Sequence, residues 1–245
     1  MRIGIVSDVH ANLEALDAVL ADIEGQGCDA LVCLGDFVGY GPDPIECVAR
    51  LRGRLRAAVV GNHDLAAIGS RPVNDFNPFA QEAILWTQEH LDAETRDYLQ
   101  GLPESERSVA DGLLFVHGSP RQPVDEYIVD GRTARASFVA DPFRIAFVGH
   151  THVPAIFEEV RHRVRLAEWL PGIAKPLRTD HRYIINVGSV GQPRDSNHDA
   201  AYVTFDAVER AVTLHRVAYD IAATQRKMEA ALLPVPLIER LAVGR

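Results

Sequence analysis

Met1-Arg2-Ile3-Gly4-Ile5-Val6-Ser7-Asp8-Val9-His10 opens the chain, an apolar run that turns abruptly polar at Ser7-Asp8. Residues 2–7 read as a short buried strand with Asp8 and His10 at its carboxyl end. The same figure recurs further on. Apolar residues 30–34 lead into Gly35-Asp36, residues 57–60 into Gly61-Asn62-His63-Asp64, residues 113–116 into His117-Gly118, and residues 145–148 into Gly149-His150-Thr151-His152. Ligand sites of open α/β sheets lie beyond the carboxyl ends of their strands. Five such strands in one sheet would bring these polar clusters to one crevice.

The intervening segments support an α/β class. Leu13, Leu16, Val19, Leu20 and Ile23 recur at helical spacing within residues 11–27, and Gly25 and Gly27 supply a stop. Residues 43–51 read as a helix with Pro42 and Pro44 at its start. Strands alternating with helices predict a parallel sheet covered on both faces. In residues 64–102, Asn74 to Pro78 is a loop. Phe79, Ala83, Ile84, Trp86, Leu91 and Leu99 then predict one or two amphipathic helices, a helical cap or an outer-layer insertion. The second half is richer in strands: a hairpin from residues 155–160 and 164–167, turning near Arg161-His162, then strands over 183–187, 201–205 and 212–217. Residues 219–233 read as a helix, and Pro234 and Pro236 start a tail along the surface. With no repeat and no linker, residues 1–245 are expected to form a single domain.

Composition bounds the class without naming it. The 245 residues are 47% hydrophobic and 24% charged, ordinary for a globular protein. A formal charge of −9 gives no global basic footprint for nucleic acid. A local basic groove stays open, so nucleic acid is not excluded as a substrate. Cys28, Cys33 and Cys47 are odd in number and lack CxxC spacing, against a disulfide framework or a structural zinc site. No stretch approaches the ~18 apolar residues of a membrane span. The expected location is cytoplasmic, with no membrane partner; the oligomeric state is not legible.

Asp8, His10, Asp36, Asn62, His117, His150 and His152 offer two carboxylates, one amide oxygen and four imidazoles. That donor set, free of thiolate, suits borderline divalent metals: Mn, Fe, Zn, Ni or Co. Seven ligands are too many for one catalytic ion that keeps an open position. They fit two divalent metal ions ~3.5–4 Å apart that share a carboxylate. Residues two apart on an extended strand point the same way. Asp8 and His10 would then reach one ion together, as would His150 and His152 if the strand stays extended. Glycines 35, 61, 118 and 149 would allow sharp turns or close backbone approach. Each motif alone has an ordinary reading as a turn or a surface histidine; the ordered set is specific.

The set DxH, GD, GNHD, HG and GHTH resembles the calcineurin-like metallophosphoesterase superfamily. Residues 186–192, Asn-Val-Gly-Ser-Val-Gly-Gln, look like the segment that follows GHxH in its small bacterial and archaeal phosphodiesterase branch. The resemblance implies a four-layer α/β/β/α sandwich with two central mixed β-sheets. It places Asp8, His10 and His152 on one ion, Asn62, His117 and His150 on the other, and Asp36 between them. It gives His63 the catalytic position, contacting the substrate phosphate or protonating the leaving oxygen. The implied activity is hydrolysis of phosphodiester, or phosphomonoester, bonds by direct attack of a metal-bridging hydroxide. Alternatives are a nucleotide or diadenosine-polyphosphate phosphatase, a nuclease, and a metal- or nucleotide-binding protein without turnover. Two features of protein phosphatases are missing: Gly39 stands where they carry a histidine-orienting Asp, and their flanking arginine pair has no evident match. Asp64 is the candidate to orient His63, Thr151 and the turn at Ser189 to orient the imidazoles, and Arg194 to meet a phosphate. His90, His162, His181, His198 and His215 fall outside the pattern.

Overall fold

The computed structural model describes residues 1–108 and 112–245. The first half alternates as expected: β1 (Arg2–Val6), α1 (Leu13–Gly25), β2 (Ala30–Cys33), α2 (Pro44–Leu51), β3 (Leu55–Ala58), α3 (Asn62–Ala67), α4 (Pro78–His90) and α5 (Ala93–Gln100). There follow β4 (Ser105–Ser108), β5 (Leu113–Val116), α6 (Gly131–Ala140), β6 (Ile145–Val148), β7 (Ala155–Val160), β8 (Arg163–Ala167), β9 (Lys175–Pro176) and β10 (Arg182–Asn186). The chain closes with β11 (Ala200–Asp206), β12 (Ala211–Val217), α7 (Ile221–Ala230) and α8 (Val235–Glu239).

Two six-stranded mixed sheets result, ordered β3-β2-β1-β11-β12-β9 and β4-β5-β6-β10-β7-β8. Parallel pairing joins β1, β2 and β3 in the first, and β5, β6 and β10 in the second. Alternation along each strand sorts the side chains into layers. Ile3 and Ile5 of β1, Phe115 of β5, Phe147 of β6 and Val203 of β11 form the core between the sheets. The opposite face of the first sheet packs Val6, Cys33 and Tyr202 against Leu16, Val19 and Ile23 of α1 and Val48 of α2. The outer face of the second packs Leu114, Ala146 and Ile184 against Ala134 and Phe138 of α6. This is the four-layer α/β/β/α sandwich that the sequence motifs implied.

One expectation is corrected. The five motif-bearing strands do not share one sheet: β1, β2 and β3 belong to the first, β5 and β6 to the second. The motif loops meet because the carboxyl ends of both parallel sets open on the same end of the sandwich. Some elements lay below the reach of periodicity. Edge strand β4 reads Ser-Glu-Arg-Ser and exists through pairing with β5. In α6 the signal is its capping box, where Asp130 accepts from the backbone of Arg132 and Thr133. β3 lies two residues earlier than read, because Val59 and Val60 are buried in the loop that follows it.

Residues 64–102 take up the end of α3, a 3-10 turn (Val73–Asp75) inside the expected loop, and α4 and α5. Leu91 and Leu99 join the core under α1 and α2, while Ala80 and Ala83 pack with Tyr40 and the C-terminal helices. The tail after Pro234 is helical: α8 and a 3-10 turn (Arg240–Ala242) bury Leu237, Ile238 and Leu241. Among the described residues, no helix is long and apolar enough to cross a membrane.

Phe147 is fully buried between the sheets, 5.7 Å from the Phe115 ring and 5.6 Å from Phe205. Phe147→Ala is expected to cost about 3–5 kcal/mol in urea denaturation. A loss below about 1 kcal/mol would contradict its central place in the inter-sheet core.

Candidate metal centre

All eight residues singled out by the motifs converge and are buried, none more than 7% exposed. They form two groups. In the first, His152 Nε2 lies 3.1 Å from His10 Nε2 and 3.2 Å from Asp8 Oδ1. In the second, His117 Nε2 lies 3.0 Å from His150 Nδ1, 3.1 Å from Asn62 Oδ1 and 3.3 Å from Asp36 Oδ2. Asp36 Oδ2 is also 3.6 Å from His10 Nε2, which sets it between the groups. Its other oxygen accepts the backbone N–H of His63 at 2.9 Å.

The geometry behind these contacts differs from the extended strands expected. β1 ends at Val6 and β6 at Val148, before the polar residues begin. Asp8 (φ 53°), His10 (φ 49°), Asp36 (φ 52°), His150 (φ 66°) and His152 (φ 60°) all occupy the left-handed region. Non-glycine residues there are strained and persist only when their surroundings over-determine them. Here backbone bonds lace the loops together: Asp8 N–H to Gly35 O at 3.0 Å, His10 N–H to Asp36 O at 2.9 Å and Gly149 N–H to His117 O at 2.9 Å. Gly149 must be glycine, since a Cβ would lie 1.9 Å from Ser7 Oγ and 2.5 Å from Asp8 Oδ2. That close approach lets the His150 N–H reach the Asp8 carboxylate at 3.0 Å.

Four main-chain carbonyls aim the imidazoles. His10 Nδ1 meets Val38 O (3.2 Å), His117 Nδ1 meets Leu34 O (2.8 Å), His152 Nδ1 meets Gln192 O (2.6 Å) and His150 Nε2 meets Asp125 O (3.1 Å). A carbonyl only accepts, so the ring nitrogen facing it carries the proton. The inward nitrogens then present lone pairs to one another and to carboxylate and amide oxygens. Facing lone pairs at 3.0–3.3 Å repel unless positive charge lies between them. Burial would raise both carboxyls, yet His152 beside Asp8 and His117 beside Asp36 outweigh it and hold both below the usual range. Burial opposes charge on His117, but Asp36 and Asp8 push its ring up to about 9. A proton on the inward nitrogen of His117 supplies part of that charge, and the nitrogen and oxygen chemistry of the donors fits a divalent metal in its place.

Sequence reasoning missed these carbonyls, because any residue supplies one. Thr151 touches no imidazole; its hydroxyl accepts from Asn186 Nδ2 at 2.9 Å. The Ser189 turn does contribute: its hydroxyl donates to Asp8 O and accepts from Gln192 N–H, each at 2.8 Å. Asp64 does not orient His63. Its carboxylate accepts from Gly61 N–H (3.0 Å) and Val38 N–H (3.1 Å), fastening two motif loops. Burial, with Asp36 adding to it, pushes that carboxyl up to about 8.

The His63 ring is instead boxed by aromatic neighbours that no motif announced: Tyr40 at 4.3 Å, His10 at 4.9 Å and Phe76 at 4.9 Å between centroids. Its Nδ1 is buried without a partner. Burial takes its pKa down to about 4 against the pull of Asp36. Tyr127 likewise stacks on His150 at 3.8 Å. Gly39, at φ 88°, leaves the room that His63 fills, since a Cβ would lie 2.6 Å from Nδ1. Gly39→Ala should therefore lose about 1–3 kcal/mol of stability in urea unfolding. An unchanged midpoint would show that His63 does not depend on that space.

Residues 1–210 match the calcineurin-like phosphoesterase superfamily domain. An uncharacterized protein of Methanocaldococcus jannaschii is 38% identical, over 99% of this chain and 98% of its own. The crystal structure of a metallophosphoesterase from Sphaerobacter thermophilus is 45% identical with a TM-score of 0.90, covering 100% of this chain and 99% of that one. A hypothetical protein from Pyrococcus horikoshii shares the fold, with a TM-score of 0.81 at 21% identity, over 100% of this chain and 98% of that one. The chain belongs to the calcineurin-like phosphoesterase superfamily.

Proposed function

We propose that this chain is a dinuclear, metal-dependent phosphoesterase acting on small phosphodiesters, or phosphomonoesters, by direct displacement at phosphorus. The observation that carries the reading is the pair of buried donor groups sharing Asp36, each closed by two imidazole nitrogens 3.0–3.1 Å apart. Asp8, His10 and His152 would hold one ion, Asn62, His117 and His150 the other, and Asp36 would join both. When bound, such a pair supplies Lewis-acid polarisation of the phosphoryl oxygens and makes water a nucleophile near neutral pH. The similar protein of Sphaerobacter thermophilus, described as a metallophosphoesterase, supports the reaction class.

The chain's own residues have distinct tasks. The carbonyls of Leu34, Val38, Asp125 and Gln192 fix each imidazole's tautomer and direction, so little reorganisation accompanies the reaction. Asp36 binds the His63 backbone N–H, which sets the start of α3 against the donor groups. His63 is the candidate to hydrogen-bond the leaving oxygen; with its pKa down to about 4 in the chain alone, it delivers a proton only where a bound phosphate anion raises the ring's proton affinity. No covalent phosphoenzyme is required, so a chiral phosphorothioate ester should react with inversion.

The deciding experiment strips the protein of metal, reloads it singly with Mn, Zn, Fe, Ni or Co, and assays mono- and diester p-nitrophenyl panels. At least one reloaded form should turn over, and Asp36→Asn should lose about 100-fold or more in kcat. Elemental analysis should show less metal in Asp36→Asn than in the parent chain. Full activity in that variant, or a parent chain that retains no metal, would sink the reading. His63→Asn should slow phenyl esters more than p-nitrophenyl esters, because the poorer leaving group needs the proton more. Equal losses on both would leave His63 without an acid role.

A further inference from the structure

A second device stands beside the donor groups, built partly from the C-terminal segment beyond the family match. Gln192 Oε1 accepts from Arg194 Nη2 at 2.8 Å and from Arg240 Nη1 at 3.1 Å. The main-chain oxygen of the same residue holds His152, so one glutamine ties both guanidinium groups to the site. Arg194 Nη2 also donates to the Tyr40 hydroxyl at 3.3 Å, and its Cζ lies 5.7 Å from the Tyr40 ring centroid. That ring in turn packs on His10 and His63.

The arrangement has unmatched positive charge. Among the described residues neither arginine has a carboxylate within 4.0 Å, and what sets the pair apart from other unpaired arginines is that both bond the same amide oxygen. Arg194 Nε is buried with no hydrogen-bond partner. Burial and the neighbouring Arg194 charge both work against the charged form of Arg240. Two guanidinium groups on one neutral amide oxygen repel, and a buried donor left unpaired is costly. In a chain of net charge −9, that concentration of unpaired cations needs a reason.

The pair is held in place by packing. Leu237, Ile238 and Leu241 pack with Ala80, Ala83 and Tyr40 and so anchor the turn that carries Arg240. Gln225 Nε2 donates to Ile238 O at 2.9 Å, and Ser196 N–H donates to Gly244 O at 2.8 Å, closing the segment onto the loop after Arg194.

We propose that Arg194 and Arg240 form an anion subsite for a second phosphate group of the substrate, beyond the one attacked at the donor groups. The planar donor forks of guanidinium match phosphate oxygens, and a phosphate between them offsets the repulsion. The preferred substrates are then esters or anhydrides that carry a further phosphate, such as nucleoside polyphosphates, rather than simple monophosphate esters. This rests on the phosphoesterase reading only for what occupies the neighbouring position.

Calorimetric titration of the full chain with inorganic pyrophosphate and with orthophosphate tests it. Wild type should bind pyrophosphate at least about tenfold more tightly than orthophosphate. Arg240→Gln and Arg194→Gln should each bring that ratio close to one. The two residues lie on different segments, so the result does not hang on either variant's folding, which thermal melting checks separately. A ratio near one in wild type, or a ratio kept in both variants, overturns the proposal. A hydrolysis panel of p-nitrophenyl esters and nucleoside triphosphates keeps the two claims apart. No hydrolysis with the ratio and its loss intact would sink the enzyme and leave the subsite; hydrolysis with an unaltered ratio would sink the subsite alone.

Discussion

The structure turns on two carboxylates, Asp8 and Asp36, removed from water at 0% and 1% exposure. Burying an isolated carboxylate is prohibitive, so both must meet compensating charge or donors. Backbone supplies some of it: Asp8 accepts the His150 N–H and Asp36 the His63 N–H. The rest must come from positive charge among the imidazoles. The folded interior therefore suits positive charge beside both carboxylates, and every motif loop contributes to that balance.

Holding those groups together requires strain in a rigid frame. Five of the clustered residues take left-handed backbone conformations, each unfavourable by itself. Two parallel strand sets, packed through the Ile5, Phe115, Phe147 and Val203 core, fix where the loops begin. The carbonyl-to-imidazole bonds then fix where they end. Neither sheet holds a complete set. His117, from the second sheet, bonds Leu34 O of the first, and the His150 N–H bonds Asp8, so the centre forms only when the sheets are docked.

The surroundings of the motif residues come from other parts of the chain. Tyr40, Phe76 and Tyr127 wall the imidazoles with apolar faces, lowering local polarity and limiting how His63 can turn. The C-terminal turn, folded back over Tyr40, adds charge where the walls are otherwise aromatic. Residues distant in sequence thus line a centre whose inner members lie in short motifs.

By itself the sequence determined the alternating strand and helix order, the residues that gather at strand ends, and the nitrogen and oxygen character of the centre. These follow from local periodicity and from side-chain identity. The DxH and GHTH pairs were legible as companions, although the reason first suggested by their spacing, an extended strand, is replaced by tight left-handed turns. Edge strand β4, with no apolar residue, and α6, with a weak apolar face, were not legible, because their stability lies in pairing and capping. Only the tertiary structure decided that two sheets rather than one supply the loops, which carbonyls aim the rings, that Asp64 braces loops instead of His63, and that Arg240 and Arg194 share the Gln192 side chain. Each of these depends on backbone groups or on contacts between segments far apart in the chain, and neither leaves a mark in residue identity or spacing.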